Sequence, residues 1–170
     1  VTYGKPLGGG LPVGVLCGRA DLMKRYRDKQ PAHISFARGT FNSHPYVLTS
    51  MLAFLQRAEA PECQAIYAAA DETWNLRVAE LNRRLAAETL PVRLGNLHSV
   101  LTVGFTNPGR YHWMFQFYLR GQGLELSWTG SGRMIMSLAY RDAEFEDVMN
   151  RFVSAAREMS ADGWWWTSEQ

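Results

Sequence analysis

The chain has 170 residues, 46% of them hydrophobic and 20% charged, and a formal net charge of +2. This length allows one domain with a sizeable core, or one domain and part of another. The weak charge indicates neither a nucleic acid nor an anionic membrane as a partner, and no apolar run is as long as a membrane span. Because the N-terminus has neither a basic region nor a signal-peptide core, we expect a cytoplasmic protein. Cys17 and Cys63 lack the spacing of metal ligands, so they predict neither a metal site nor a disulfide scaffold.

A glycine-rich segment with one lysine opens the chain: Lys5 stands between Gly4 and Pro6, and residues 8–10 are all glycine. Glycine allows positive φ and lets a ligand approach the backbone closely, while proline fixes φ. We therefore expect a tight loop that leads into a strand over 13–16 and holds the Lys5 amine in a defined place.

The amine of such a lysine has two chemical uses. It can bind phosphate as a point charge, or it can form a Schiff base with an aldehyde. A P-loop has its lysine after the glycines and before a helix, whereas Lys5 precedes the glycines and is followed by Pro6, so that interpretation fails. The possibility of a solvated surface lysine stays open at this point.

A second polar loop, residues 39–45 (GTFNSHP), precedes a predicted helix over 45–58 with apolar residues at 3.6-residue spacing. The Thr40 hydroxyl and the free backbone N–H groups at the start of a helix form an anion site, because the helix dipole favours negative charge there. A simpler possibility is that Asn42 or Ser43 caps the helix. Capping and anion binding are compatible, so both stay open.

The rest of the chain predicts further helices and then a mixture of helices and strands. Over 112–119 a strand is one interpretation, because the large apolar residues Trp113, Phe115, Phe117 and Leu119 alternate with other residues. Helices are predicted over 19–29, 62–89 and 143–159, the last with Asp142 as its N-cap, and strands over 33–37, 100–105, 124–128 and 134–139. The three tryptophans at 164–166 receive no role.

Residues 4–14 (GKPLGGGLPVG) resemble the active-site lysine segment of class III aminotransferases, a family of fold type I that depends on pyridoxal 5'-phosphate (PLP). The branch that they resemble most is glutamate-1-semialdehyde 2,1-aminomutase. Residues 39–45 and 136–140 resemble two later segments of the family in order and spacing. The resemblance covers nearly the whole chain, and the family segment that matches 112–119 is a helix, which favours a helix there.

The resemblance implies a cofactor and the residues that hold it. In the family, the lysine that matches Lys5 carries PLP as a Schiff base. The threonine that matches Thr40, next to Gly39, binds the cofactor phosphate of the neighbouring subunit, which implies a homodimer with a shared cofactor site. Lys5 is therefore the expected catalytic residue, and Lys5, Gly39 and Thr40 are the expected cofactor-binding residues.

The implied fold is α/β, with the C-terminal part of a PLP-dependent transferase large domain over 1–60 and a small α+β C-terminal domain over 61–170. Ahead of this lysine, family members carry an aspartate that pairs with the pyridine nitrogen, an aromatic residue that stacks on the ring and another phosphate-binding loop. We therefore expect the sequence to be the C-terminal portion of a larger enzyme.

The implied activity is amino transfer between a small-molecule amino donor and a carbonyl acceptor. The aminomutase branch has a glutamate where Gly132 falls, which weakens the interpretation as an aminomutase. Arg133 beside it is a candidate for pairing with a substrate carboxylate, or else an exposed or structural residue. An inactive fragment and an aminotransferase domain of a multidomain biosynthetic synthase are two further possibilities.

Overall fold

The computed structural model describes residues 1–23, 39–125 and 132–165. It divides into two compact units, Val1–Ala65 and Ile66–Gln170. The domain boundary expected near residue 60 stays a prediction, because compactness alone does not define a domain that folds by itself.

Some predicted elements fall outside the described residues: the strand over 33–37, residues 24–29 of the first predicted helix and residues 126–128 of the strand predicted over 124–128. In the described remainder of that first helix, residues 19–23 form a turn, in which the Leu22 and Met23 N–H groups donate to the Arg19 carbonyl at 2.9 and 3.0 Å. Residues 124 and 125 are not in a strand.

In its described residues, the first unit is built on a short hairpin and one complete helix. Strand β1 (Thr2–Gly4) pairs antiparallel with strand β2 (Gly14–Leu16), and a 3₁₀ turn (Lys5–Gly8) follows β1 directly. Helix α1 (Pro45–Ala58) confirms the predicted bounds. Its proline stands in the first turn, where a missing N–H costs no hydrogen bond.

Helix α1 exposes its apolar side chains. Within the described residues, none of its positions is fully buried, and Leu48, Leu52 and Leu55 are 43%, 56% and 42% exposed. An amphipathic helix normally buries its apolar stripe. The part of the chain that the structure describes therefore leaves apolar surface of α1 uncovered.

In the part that the structure describes, the second unit combines an antiparallel sheet with three helices. Its elements are helix α2 (Pro61–Ala87, most of which lies in this unit), strands β3 (Val92–Leu97) and β4 (Val100–Phe105), a 3₁₀ turn (His112–Met114), helix α3 (Phe115–Gly121), strand β5 (Arg133–Ile135) and helix α4 (Asp142–Ala161). The strand order is β3-β4-β5. The predicted long helix and the strand over 100–105 are confirmed, whereas the strand predicted over 134–139 is shorter than expected.

One hydrophobic core holds the second unit together, with buried side chains from α2, α3, α4 and the sheet. The buried positions of α2 recur every three or four residues, as an amphipathic helix requires: Ala70, Trp74, Val78, Leu81 and Leu85. Trp74 meets Phe145 of α4 edge to face, with ring centroids 5.3 Å apart. Nearer the surface, Arg84 of α2 donates two hydrogen bonds to Glu146 of α4 at 2.6 and 2.8 Å. The two helices therefore contact each other through apolar and charged side chains.

The aromatic segment after β4 is helical, which confirms the helix that the resemblance favours; the interpretation as a strand is wrong. Phe115 and Leu119, one helical turn apart, are 2% and 0% exposed. Trp113 and Phe117 form a second pair one turn apart, and they are 57% and 50% exposed. A strand would place all four side chains on one face, whereas the helical period separates them into a buried pair and an exposed pair.

The N-terminus of α4 corrects a second expectation. The N-cap is Arg141 rather than Asp142, and the Arg141 backbone N–H donates to Glu144 Oε2 at 2.8 Å. Asp142 is the first helical residue and accepts a hydrogen bond from Arg77 at 2.9 Å. A carboxylate is favourable at either position, because the start of a helix attracts negative charge.

The C-terminal tryptophans contribute to the edge of the core. Trp164 and Trp165 pack against it, and the Trp165 indole N–H donates to the Ala156 carbonyl of α4 at 3.1 Å. The third tryptophan, Trp166, lies outside the described residues. The segment that had no predicted role therefore covers hydrophobic surface.

His112 should make the stability of the second unit depend on pH. Its ring stacks on Phe105 with centroids 4.1 Å apart and lies beside Trp165, and this burial lowers the pKa of His112 below its ordinary value of 6.5. As pH falls below that value, the unfolded state binds a proton that the folded state does not, so the free energy of unfolding should decrease. Chemical denaturation between about pH 5 and pH 8 should show this slope in the wild type and a smaller slope in His112→Phe. Equal slopes would contradict the prediction.

Candidate functional site

Lys5 occupies the junction between β1 and the 3₁₀ turn. Gly4 pairs with Gly14 at the end of the hairpin, and Pro6 restricts the first turn behind the lysine. The Lys5 side chain is exposed. Among the described residues its ammonium group has neither a hydrogen-bond acceptor nor an ion-pair partner. The expected tight loop is therefore present, and its amine is available to a ligand.

The backbone of Lys5 is strained, with φ of +55°. A left-handed conformation costs a residue with a Cβ about 1–2 kcal/mol. In the described part of the chain four non-glycine residues have positive φ, and two of them, Lys5 and Ser43, lie in the two segments singled out from the sequence. The other two, Thr89 and His98, stand in turns after α2 and between β3 and β4. Strain of this kind tends to concentrate at functional sites.

The glycines after Lys5 bring its turn against helix α1. Gly9 has φ of +58°, and a Cβ on it would lie 2.5 Å from Ser50 Oγ and 3.1 Å from the Ser50 carbonyl oxygen. Ser50 Oγ donates to the buried Gly8 carbonyl at 2.9 Å. The group that approaches these glycines in the structure is the helix that follows the Gly39–Thr40 loop, and the expected approach of a ligand stays a prediction.

The role of Ser50 was not predicted from the sequence, although the pattern of α1 contains an indication of it. The less exposed positions of α1 include Val47, Ser50, Met51 and Phe54, which share one face at helical spacing. A hydroxyl on such an apolar face needs a hydrogen-bond partner. The sequence alone does not show that this partner is a carbonyl 42 residues away in the chain.

The Gly39–Thr40 loop consists of turns that lead into α1. The Asn42 N–H donates to the Gly39 carbonyl at 3.0 Å, and the His44 N–H donates to the Phe41 carbonyl at 3.2 Å. The N-cap of α1 is His44, whose side chain makes no capping hydrogen bond. The expectation that Asn42 or Ser43 is the cap is therefore wrong, and the first N–H groups of α1 receive no bond from their cap residue at the end where an anion is favoured.

His44 adds a polar atom without a partner to the same loop. Its Nδ1 is buried and has no hydrogen bond within the described residues, while its ring contacts Phe41 and Tyr46 with centroids 5.8 and 5.2 Å away. A buried polar atom left unpaired costs free energy. This unpaired atom lies beside the start of α1, whose cap residue makes no side-chain hydrogen bond.

Arg133, the candidate substrate residue, lies on strand β5 of the second unit. It stands opposite Thr102 of β4, and its side chain is exposed. Its role toward a substrate stays a prediction. In the described ranges, no histidine, cysteine or carboxylate side chains group as metal ligands, and none of the helices there is long and apolar enough to cross a bilayer. The expected cytoplasmic location stays a prediction.

Comparison with known proteins gives a consistent set of matches, although no protein-family model matches the chain. The chain is 29% identical over 165 residues to the glutamate-1-semialdehyde 2,1-aminomutase of Nitratidesulfovibrio vulgaris strain Miyazaki F, a match that covers 88% of this chain and 36% of that protein. The structure of this chain matches a β-phenylalanine aminotransferase from Variovorax paradoxus with a TM-score of 0.71 and 25% identity, over 94% of this chain and 38% of that one. A transaminase solved with PLP bound matches with a TM-score of 0.75 and 20% identity, over 95% of this chain and 38% of that one.

These matches confirm the fold and the resemblance expected from the sequence. The chain has the fold of the C-terminal part of PLP-dependent transaminases, with mixed helix and sheet. Over nearly its whole length it is similar to class III aminotransferases, and within that enzyme family to glutamate-1-semialdehyde 2,1-aminomutases. It spans less than two fifths of the length of these relatives.

Proposed function

We propose that this chain is part of a PLP-dependent aminotransferase of the class III type, which moves an amino group from a small-molecule donor to a carbonyl acceptor. One observation carries the proposal: Lys5 presents an exposed amine, free of partners in the described residues, on a strained turn that is fixed against α1. The names of the similar proteins, which are aminotransferases and aminomutases, support it.

The described residues fit PLP, which carries both an aldehyde and a phosphate. Lys5 offers the amine that an aldehyde requires. The uncapped start of α1 and the Thr40 hydroxyl offer hydrogen bonds to an anion. A Cβ added at Gly39 would meet nothing within 4 Å among the described residues, so those residues leave room there for a ligand.

When bound, PLP supplies an electron sink for negative charge at the substrate α-carbon. Lys5 would have two tasks: its Nζ would hold the cofactor covalently and, when free, would accept the proton that leaves the substrate α-carbon. Thr40 and the first N–H groups of α1 would bind the phosphate of the partner's cofactor, and so orient that cofactor relative to the lysine that holds it. All of these groups belong to the first unit.

We propose a homodimer in which Thr40 of one protomer binds the phosphate at the partner's site. The exposed apolar side chains of α1, which starts just after this loop, support an interface on this side of the unit. In such an arrangement the cofactor site is completed only when two chains associate.

The second candidate is an isomerase of the aminomutase type, which the names of the similar proteins favour. The residue that departs from that branch, Gly132, has φ of +59°, and a Cβ there would lie 3.1 Å from Val103 Cβ and 3.2 Å from the Val103 carbonyl oxygen. A glutamate at this position would be strained and crowded. We therefore place aminotransferase first.

Borohydride reduction of the full-length protein, followed by peptide mapping, tests the covalent role. Reduction fixes a pyridoxyl group on the lysine that carries the cofactor, and we expect it on Lys5. Lys24 and Lys29, which also belong to this chain, serve as internal controls that should stay unmodified. A pyridoxyl group on either of them in place of Lys5, or on no lysine, would overturn the proposal.

A further inference from the structure

The end of the Lys5 turn is held from two sides. Within the turn segment, the Gly9 N–H donates to the Pro6 carbonyl at 2.9 Å, and the Leu11 N–H donates to the Gly8 carbonyl at 3.1 Å. From α1, Ser50 Oγ reaches the Gly8 carbonyl at 2.9 Å and the Gly9 carbonyl at 3.4 Å. The Gly8 carbonyl therefore accepts hydrogen bonds both from the Leu11 N–H of its own segment and from the Ser50 hydroxyl of α1.

The turn also fits tightly between its neighbours. A Cβ on Gly8 would lie 2.9 Å from Val13 Cγ1, and a Cβ on Gly9 would lie 2.5 Å from Ser50 Oγ. Real Cβ atoms essentially never come so close to another heavy atom. Because Gly8 and Gly9 have no side chains, the turn can pack closely against Val13 and Ser50.

Thr49, the residue before Ser50, shows that a hydroxyl on α1 can form its hydrogen bond within the helix. Thr49 Oγ1 donates to the Pro45 carbonyl at 2.9 Å, four residues back in its own helix. Serine and threonine hydroxyls in helices commonly form this local bond. Ser50 instead donates to a segment more than forty residues away in the sequence.

We propose that Ser50 is a positioning residue for Lys5. Its hydroxyl ties the end of the Lys5–Gly8 turn to helix α1, whose N-terminus follows the Gly39–Thr40 loop. It thereby fixes the Lys5 amine relative to α1, the helix whose start is proposed to bind the phosphate at the partner's site. The inference rests on the proposed function of Lys5 and identifies a residue that acts on the site through the backbone.

The experiment compares Ser50→Ala, Ser50→Thr and Thr49→Ala in the full-length protein. The rate of hydrogen exchange in the peptide over 5–12 reports the bond between Ser50 and the turn, and its measurement needs no cofactor. Loss of this one hydrogen bond in Ser50→Ala should raise the exchange rate about two- to tenfold. The rate at which borohydride traps PLP on Lys5 should fall, and the dissociation constant of PLP should rise, by a similar factor. Thr49→Ala should match the wild type in all three measurements, and Ser50→Thr, which keeps the hydroxyl, should restore most of the loss.

The outcomes separate this inference from the proposed function. Unchanged exchange in Ser50→Ala would overturn the tie. Faster exchange with wild-type trapping and wild-type PLP affinity would overturn the positioning role, since the tie would then serve stability alone. Failure of the wild type to form any adduct on Lys5 would overturn the proposed function and the positioning role with it, while the exchange result would still report the tie.

Discussion

Replacing Lys5 by alanine should lower amino transfer in the full-length enzyme by at least about 10³-fold, because the variant loses both the covalent attachment and the group that moves the proton. Turnover is measured with an amine donor and a carbonyl acceptor in the presence of saturating PLP. The dissociation constant of PLP should also rise, since the covalent bond contributes to affinity.

Lys5→Arg separates chemistry from charge. Arginine keeps the positive charge of the side chain but stays protonated and is a poor nucleophile, so this variant should lose as much turnover as Lys5→Ala. Lys24→Ala and Lys29→Ala should keep wild-type rates. Substantial turnover in Lys5→Arg would show that Lys5 acts only as a cation, and retained activity in Lys5→Ala would remove it from the mechanism.

Phe115→Ala should lower the free energy of unfolding by about 3–5 kcal/mol, because it opens a cavity in the core of the second unit. The Phe115 ring lies edge to face with Phe152 and Phe105, with centroids 5.2 and 6.4 Å away, and it also contacts Trp165. Chemical denaturation of the variant and the wild type measures the difference.

Phe117→Ala is the matched control, two residues away on the same helix. Phe117 is 50% exposed and contacts Trp113, so its replacement should change the free energy of unfolding by less than about 0.5–1 kcal/mol. Similar losses for the two variants would mean that both rings are buried on one face, as a strand would have them, and would contradict the helix.

Helix α1 and strand β4 were predictable from the sequence with the bounds that the structure shows. Pro45 marks the start of α1, and the turn residues Asn107 to Gly109 mark the end of the strand segment, so local chemistry set both limits. The segment over 112–119 was ambiguous for a physical reason. Its large residues stand at every second position, which suits a strand, while the pairs four apart suit a helix.

The N-terminus of α4 shows a limit of capping rules that consider only neighbouring residues in the sequence. Asp142 is a good capping residue by type, but Arg141 takes the N-cap position and Asp142 instead accepts a hydrogen bond from Arg77 of α2. The partner of Asp142 lies 65 residues away. A rule that considers only neighbours in sequence cannot choose between these two uses of one carboxylate.

The residues of the candidate site also fall into some that the sequence predicts and some that it does not. Lys5 and Thr40 are recognised because each stands in a segment whose residue types and order resemble those of a known enzyme family. Ser50 and His44 were missed because their importance depends on contacts and burial that only the folded chain shows. Arg133 is exposed on strand β5, and exposure alone does not distinguish a substrate residue from a structural one.

The left-handed backbone at Lys5 has a consequence for engineering the protein. Glycine and asparagine adopt a φ of +55° more easily than lysine does. A screen that rewards only folding would therefore favour glycine at position 5 and would discard the amine on which the proposed chemistry depends. Stability and activity make opposite demands on this residue, so a library designed for heat resistance should keep position 5 constant.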